Sequence, residues 1–224
     1  MSTAWLGIDN PWLCDAGNGH RLHSDVVGPF VALQDAARAD GVDCQLVSSF
    51  RDFNRQLSIW NRKWRGELPL LDLDGVPLNH ARLSDVEKLH AILTWSALPG
   101  GSRHHWGTDI DVYDKESVMK RRHDFSLVDA EYRDNGPCAA LALWLDEHAG
   151  SYGFMRPFLN WHGGVACELW HLSHQQTATR FEQSRCCATL ADALRNSDME
   201  GKQIVIKHIE TLYEQYVLNK GTSS

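Results

Sequence analysis

The chain contains no run of eighteen apolar residues, so it offers no segment that reads as a membrane-crossing helix. Its opening, MSTAWLGIDNPWL, also lacks the basic start and long apolar stretch of a secretory leader. As the sequence stands, these absences predict a cytoplasmic protein without membrane partners; a periplasmic or wall-facing location is expected only if a leader has been removed. The six cysteines (Cys14, Cys44, Cys138, Cys167, Cys186 and Cys187) include no C-x-x-C pair, which excludes a cysteine zinc cluster and argues against a disulfide framework. Positive charge is scarce too. With 22 Lys and Arg against 29 Asp and Glu, the formal charge is −7, and KRRH (120–123) is too short a basic run to serve as a nucleic-acid or anionic-membrane footprint. No internal repeat and no Pro/Gly/Ser linker divides the 224 residues, so a single domain with one sizeable core is expected.

What is present is a mixture of helical and alternating patterns. Residues 26–41 read as a helix with Pro29 at its start and Gly41 as its stop, 44–50 as a strand, and 51–66 as a helix with Leu57, Trp60 and Trp64 on one face. Asp74-Gly75 sets a tight hairpin within 68–79. In 83–101, Ser84 and Glu87 form a capping box, and Val86, Leu89, Leu93 and Ala97 a buried stripe. TDIDVYD (108–114) alternates as a half-buried strand, 115–136 reads as a loop, PCAALALWLDEHAG (137–150) as a deeply buried helix, and 164–174 as a further strand. Two amphipathic helices close the chain, the second with Ile209, Leu212, Tyr213 and Tyr216 on one side. The order of elements predicts an α+β single domain with a small, mainly antiparallel sheet flanked by helices, plus a C-terminal helical extension over 176–224.

The chemistry concentrates in SRHHWGTDIDV (102–112). On a strand, Asp109 and Asp111 share one face while Ile110 points to the other. Two carboxylates so close repel unless a metal, a histidine or an arginine lies between them. By spacing alone the stretch is either a metal site or a strand with polar decoration. ELWH (168–171) adds Glu168 and His171 to an otherwise apolar segment, where an ionised carboxylate needs a partner. A spacing of three places them on opposite faces of a regular strand, so both act at one site only if the chain bends or bulges near Trp170.

The two-part pattern S-x-H-x-x-G-x-x-x-D (Ser102, His104, Gly107, Asp111) and E-x-W-H (Glu168, Trp170, His171), with SSFRDFNRQ upstream, resembles the VanY-type D-alanyl-D-alanine carboxypeptidases of zinc peptidase family M15. The likeness spans about residues 25–175. It implies a hedgehog/DD-peptidase-like fold, Zn(2+) held by His104, Asp111 and His171, Glu168 as catalytic base, and Arg51 stabilising charge on the scissile carbonyl. It further implies substrate contacts from Ser102, Gln56 and Trp170, and leaves His105 at a variable position. Asp109 stands where the family commonly has a small residue, so it is either a partner of a ligand or a rival ligand.

The activity implied is removal of the C-terminal D-amino acid from peptidoglycan stem peptides or muropeptides, with a cytosolic location favouring soluble ones. Trp106 and Trp161 are further candidates for the pocket wall. Three alternatives stand beside this reading: an L,D-carboxypeptidase, a cross-link endopeptidase or amidase on the same metal site, and a non-catalytic peptide-binding module. The presence of Glu168 counts against the last.

Overall fold

The computed structural model describes residues 3–221. A short ribbon of β1 (Leu13–Asp15) and β2 (Arg21–His23) leads into helix α1 (Ser24–Ala39). Strand β3 (Cys44–Ser48), helix α2 (Phe53–Trp64), helix α3 (Asp85–Trp95), strand β4 (Asp109–Asp114) and the short helix α4 (Lys115–Lys120) follow. Then come helix α5 (Ala139–His148), the two-residue strand β5 (Phe154–Met155) and strand β6 (His171–His174). Helices α6 (Gln175–Ser184), α7 (Cys187–Arg195), α8 (Lys202–Lys207) and α9 (Ile209–Leu212) complete the chain, with a π-helical turn at Tyr213–Val217.

The main sheet is antiparallel throughout, in the order β3-β4-β6-β5. Its register places Asp109 opposite Ser173, Ile110 opposite Leu172 and Asp111 opposite His171. Alternation then assigns the two faces. Ile110, Val112 and Leu172 are fully buried against Phe30 and Leu33 of α1 and Leu141 of α5. The opposite face collects Asp109, Asp111, His171 and Ser173, all buried despite their polarity. A register shift between Leu46 and Ser48 bends β3 so that Ser48 lies beside Asp111.

Several expectations change in detail. Helix α1 begins two residues before Val26 because the His23 side chain accepts the Asp25 N–H (3.1 Å) and supplies the cap that Pro29 was expected to mark. The Ser84–Glu87 capping box is present, with the Glu87 carboxylate accepting the Ser84 N–H at 2.8 Å. Helix α3 nevertheless stops at Trp95, since Ser96 is extended; Val86 is exposed, and Ile92 takes its place in the stripe with Leu89 and Leu93.

The segment 115–136 is not all loop. The Asp114 carboxylate accepts the Ser117 N–H (2.9 Å) to start α4, and Glu131 gathers the N–H groups of Ser126 and Val128 around a 3₁₀ turn at Asp129–Tyr132. The hairpin at 68–79 is reduced to a turn with one bridge, Leu71 to Pro77. Strand β6 holds only the last four residues of 164–174. Each expected C-terminal helix is also broken, the first by extended backbone at Arg185 and Cys186. Leu190, Leu194, Val205 and Leu212 of these helices share one core with Trp60 and Leu89.

Candidate active site

The site is assembled from two short turns that deliver polar side chains to one face of the sheet. Ser102 to Trp106 leads through a 3₁₀ turn that ends at Gly107 in the left-handed region (φ +69°). A Cβ there would lie 2.7 Å from Leu13 Cδ2 and 2.9 Å from the His23 nitrogen, so glycine is required both for the conformation and for the close approach of the β1–β2 ribbon. The reversal puts His104 next to Asp111. On the other strand, the bend predicted near Trp170 is a turn closed by the His171 N–H donating to the Glu168 carbonyl (3.2 Å). It swings Glu168 to the same side as His171, and the strand begins only afterwards.

Four sequence-predicted groups meet here. His104 Nε2 lies 3.2 Å from one Asp111 oxygen, and His171 Nδ1 lies 3.2 Å from the other and 3.3 Å from Glu168 Oε2. The two imidazoles stand 4.9 Å apart between centroids. One ligand atom each from His104, Asp111 and His171 falls within 4.8 Å of the others, a span a single metal ion can bridge.

The outer nitrogens fix what the inner ones present. His104 Nδ1 is 3.0 Å from the Ser49 carbonyl, which only accepts, so Nδ1 carries the hydrogen and Nε2 is a bare lone pair. His171 Nε2 donates to Asp109 Oδ1 (3.0 Å), which turns Nδ1 inward. Asp111 Oδ1 is buried and receives no hydrogen bond despite its nearness to His171. Nitrogen lone pairs and carboxylate oxygens thus converge with no donor between them, and a cation resolves that arrangement. Two nitrogens and one oxygen, with Glu168 beside them, fit zinc with a position left for water.

The electrostatics agree. Burial works against the ionised Asp111, yet His104 and His171 hold its carboxyl far below the usual range. Burial likewise opposes charge on His171, but the carboxylates of Asp109, Asp111 and Glu168 around it outweigh that and raise its pKa. Burial lowers the pKa of His104, which favours the neutral ligand form.

A cavity of about 260 Å³ opens on this cluster and is also lined by Arg51, Lys63, Ser102 and Trp170. The Arg51 Nε is buried and unpaired, and burial depresses its guanidinium pKa while Asp111 and Glu168 oppose that fall. Its backbone is clamped by His105, whose Nδ1 donates to the Arg51 carbonyl (2.6 Å) while Nε2 accepts the Gly100 N–H (2.9 Å). Burial drives the His105 pKa down to about 3, so the residue set aside at a variable position is a neutral structural clamp. Trp170 is buried and stacks on Trp95 in the cavity wall.

Other expected contacts are elsewhere. Gln56 is buried and donates to the carbonyl of Ala97 (2.9 Å), a residue that lines the cavity although Gln56 itself does not. Trp106 lies in the core and donates to the Trp5 carbonyl (3.0 Å), and Trp161 is exposed. Asp109 stands outside the converging atoms of His104, Asp111 and His171 and accepts from His171, Thr108 and Arg103, the placement of a partner of His171.

Sequence reasoning missed Lys63, which reaches the cavity from the last turn of α2. Its ammonium has no hydrogen bond or ion pair among the described residues, and burial, with Arg51 adding to it, lowers its pKa to about 8. Tyr216 and Val217 also line the cavity from the π-helical turn. No local motif marks them.

Comparison with known proteins follows the same lines. The family model described as VanY: D-alanyl-D-alanine carboxypeptidase matches residues 19–177. A curated D-alanyl-D-alanine carboxypeptidase of Enterococcus faecalis is 27% identical over 175 residues, covering 76% of this chain and 55% of its own. An uncharacterised protein of Haemophilus influenzae is 46% identical over 81 residues, covering 36% of this chain and 56% of its own. The chain therefore spans little more than half the length of these two relatives. Among solved structures, VanYB in complex with D-alanine-D-alanine is 25% identical, with a TM-score of 0.53 over 85% of this chain and 92% of that one. A VanY D,D-pentapeptidase from a VanB-type resistance cassette, solved with Zn(II), is 26% identical, with a TM-score of 0.51 over 80% and 88% of the two chains. Matched by the family model over residues 19–177 and folded as a mixed α/β domain, this chain belongs to the VanY D-alanyl-D-alanine carboxypeptidase family.

Proposed function

We propose that this chain is a zinc-dependent carboxypeptidase that removes the C-terminal D-alanine from peptidoglycan stem peptides or muropeptides. One observation carries the reading: bare nitrogens of His104 and His171 and an unpaired Asp111 oxygen converge beside Glu168, within a cavity that also holds the unpaired cation Arg51. Zinc held by these three side chains would polarise a carbonyl and lower the pKa of its bound water to about 7.

The chain's own residues do the rest. Glu168, with a side chain only 13% exposed and Oε2 3.3 Å from His171, accepts the proton of the attacking water and delivers it to the departing amine. Arg51 faces the negative charge that develops on the scissile carbonyl oxygen, and the His105 clamp holds it there without reorganisation. Lys63 gives the same cavity a second cation, suited to the free carboxylate of a peptide's last residue. Trp170 and Trp95 form an apolar wall that excludes water from one side.

Because Tyr216 and Val217 close the cavity, residues 25–175 and the extension 176–224 work as one catalytic unit. The test is incubation of the zinc-loaded protein with a pentapeptide stem ending in D-Ala-D-Ala and with the tetrapeptide stem, read by mass spectrometry. Release of one D-alanine from the pentapeptide is expected. Release only from the tetrapeptide would make the enzyme an L,D-carboxypeptidase, and release from neither would remove the assignment.

A further inference from the structure

Behind His171, on the side away from Glu168, charged and polar groups are buried in a row. Arg103 occupies the turn between Ser102 and His104. Its guanidinium donates from Nε to Asp109 Oδ1 (2.6 Å), and from its two terminal nitrogens to Glu182 Oε1 (2.6 Å) and Ser173 Oγ (2.8 Å). Its planar face lies over the Trp106 ring, 4.6 Å from the centroid. Asp109 is wholly excluded from solvent and fills its remaining capacity with the Thr108 hydroxyl (2.7 Å), the Ser173 hydroxyl (3.2 Å) and His171 Nε2 (3.0 Å). Glu182 lies on α6, beyond residue 177 where the family match ends.

Asp109 is surrounded by donors, Arg103 Nε, the Thr108 hydroxyl and the Ser173 hydroxyl, and it accepts from each. His171 Nε2 meets the same carboxylate and carries the hydrogen of that contact, which leaves Nδ1 facing Asp111. Glu182 holds the far edge of the guanidinium, so the fork stays in the plane that serves Asp109 and Ser173 at once. The outer end of the row is more accessible, since the Glu182 side chain is 36% exposed while that of Arg103 is 12% exposed.

We propose that Glu182, Arg103 and Asp109 act as positioning residues that hold His171 in its metal-binding tautomer and orientation, so that the part of α6 beyond the family match helps set the affinity for zinc. The inference rests on the zinc reading of His104, Asp111 and His171. Its readout is zinc binding by the full chain, with no peptide involved.

The experiment strips the protein of metal and titrates it with zinc against a chromophoric chelator, with circular dichroism and thermal melting as controls of folding. Replacement of a partner that orients a metal-binding histidine typically weakens metal binding by about 10–100-fold. That loss is expected for Arg103→Met, and a smaller one, a few-fold, for Glu182→Gln. The double variant Arg103→Met/Asp109→Ala removes the cation together with the anion it neutralises, and it should bind zinc more tightly than Arg103→Met alone.

A role confined to tethering α6 predicts a different pattern: lower melting temperatures, unchanged zinc affinity, and a double variant no better than the single one. That pattern would overturn the inference and leave the proposed activity intact. If Arg103→Met does not fold, Glu182→Gln and Arg103→Lys decide; Arg103→Lys keeps the charge without the fork, and zinc affinities equal to wild type in both would overturn the inference. A wild-type chain that took up no zinc would overturn both readings.

Discussion

Replacing Glu168 with glutamine changes one atom and one charge at the group assigned as base. The carboxylate sits at the edge of the cavity with its side chain 13% exposed, and the nearest group, His171 Nδ1, is 3.3 Å away. Glutamine has the same length and branching, so the turn closed by the His171 N–H and the Glu168 carbonyl is undisturbed. None of the three proposed ligand atoms belongs to Glu168, and zinc content should stay at one per chain. What is lost is the proton acceptor. General-base catalysis contributes about 10²–10⁴-fold, or roughly 3–5 kcal/mol of barrier at 1.36 kcal/mol per decade. We therefore expect Glu168→Gln to lose at least a hundredfold in kcat with KM changed by less than about threefold, since the group acts in the transition state and not in binding. The assay is D-alanine release under saturating peptide, with zinc measured on the same sample. A variant that keeps its zinc and turns over within threefold of wild type would refute the assignment of Glu168.

Lys63 gives a pH signature. Its pKa is lowered to about 8 by burial, with Arg51 adding to the fall, so the ammonium is charged below that pH and neutral above it; KM should rise as pH passes about 8, and Lys63→Met should show the high KM at every pH. Steady-state kinetics between pH 6 and 10 check this, and a KM profile unaltered by Lys63→Met would contradict it. Gly107→Ala forces a Cβ to 2.7 Å from Leu13 in a left-handed conformation, at a cost of about 1–3 kcal/mol. For a chain of this size calorimetry should show a Tm lower by roughly 2–12 °C. Gln56→Met removes a buried hydrogen bond to the Ala97 carbonyl, worth about 1 kcal/mol, and should lower Tm by a few degrees while leaving kcat/KM unchanged. A large loss of kcat/KM in a folded Gln56→Met protein would return Gln56 to the substrate site.

The local signals in the sequence carried much of this structure. The Ser84–Glu87 capping box, the alternation of TDIDVYD and the apolar run at 139–148 each encode an element through neighbouring residues alone, and each forms. The metal-binding pattern was legible because ionisable groups in apolar stretches need partners, and His104, Asp111, Glu168 and His171 do converge. Trp170 and Ser102, expected as substrate contacts, line the cavity, whereas Gln56 lies one layer behind it with its amide on the carbonyl of the lining residue Ala97.

What the sequence hid depends on contacts between distant segments. Lys63 reaches the cavity only through the path of α2, and Tyr216 arrives from the far end of the chain, where its hydroxyl meets His90 (2.8 Å). For Asp109 the sequence left two roles open, and it is the contacts from Arg103 and Ser173, distant or unmarked in the motif, that favour a partner of His171. Likewise, the spacing of Glu168 and His171 demanded a bend, but only the carbonyl hydrogen bond between them shows which bend it is.

The account turns on a cation drawn to the bare nitrogens of His104 and His171 and the oxygen of Asp111. X-ray absorption at the zinc edge of the zinc-loaded protein tests this most directly. The spectrum should show imidazole scattering from two histidines at about 2.0–2.1 Å with the rest of the shell oxygen, and no sulfur near 2.3 Å. A sulfur shell from any of the six cysteines, or a spectrum without imidazole features, would contradict it.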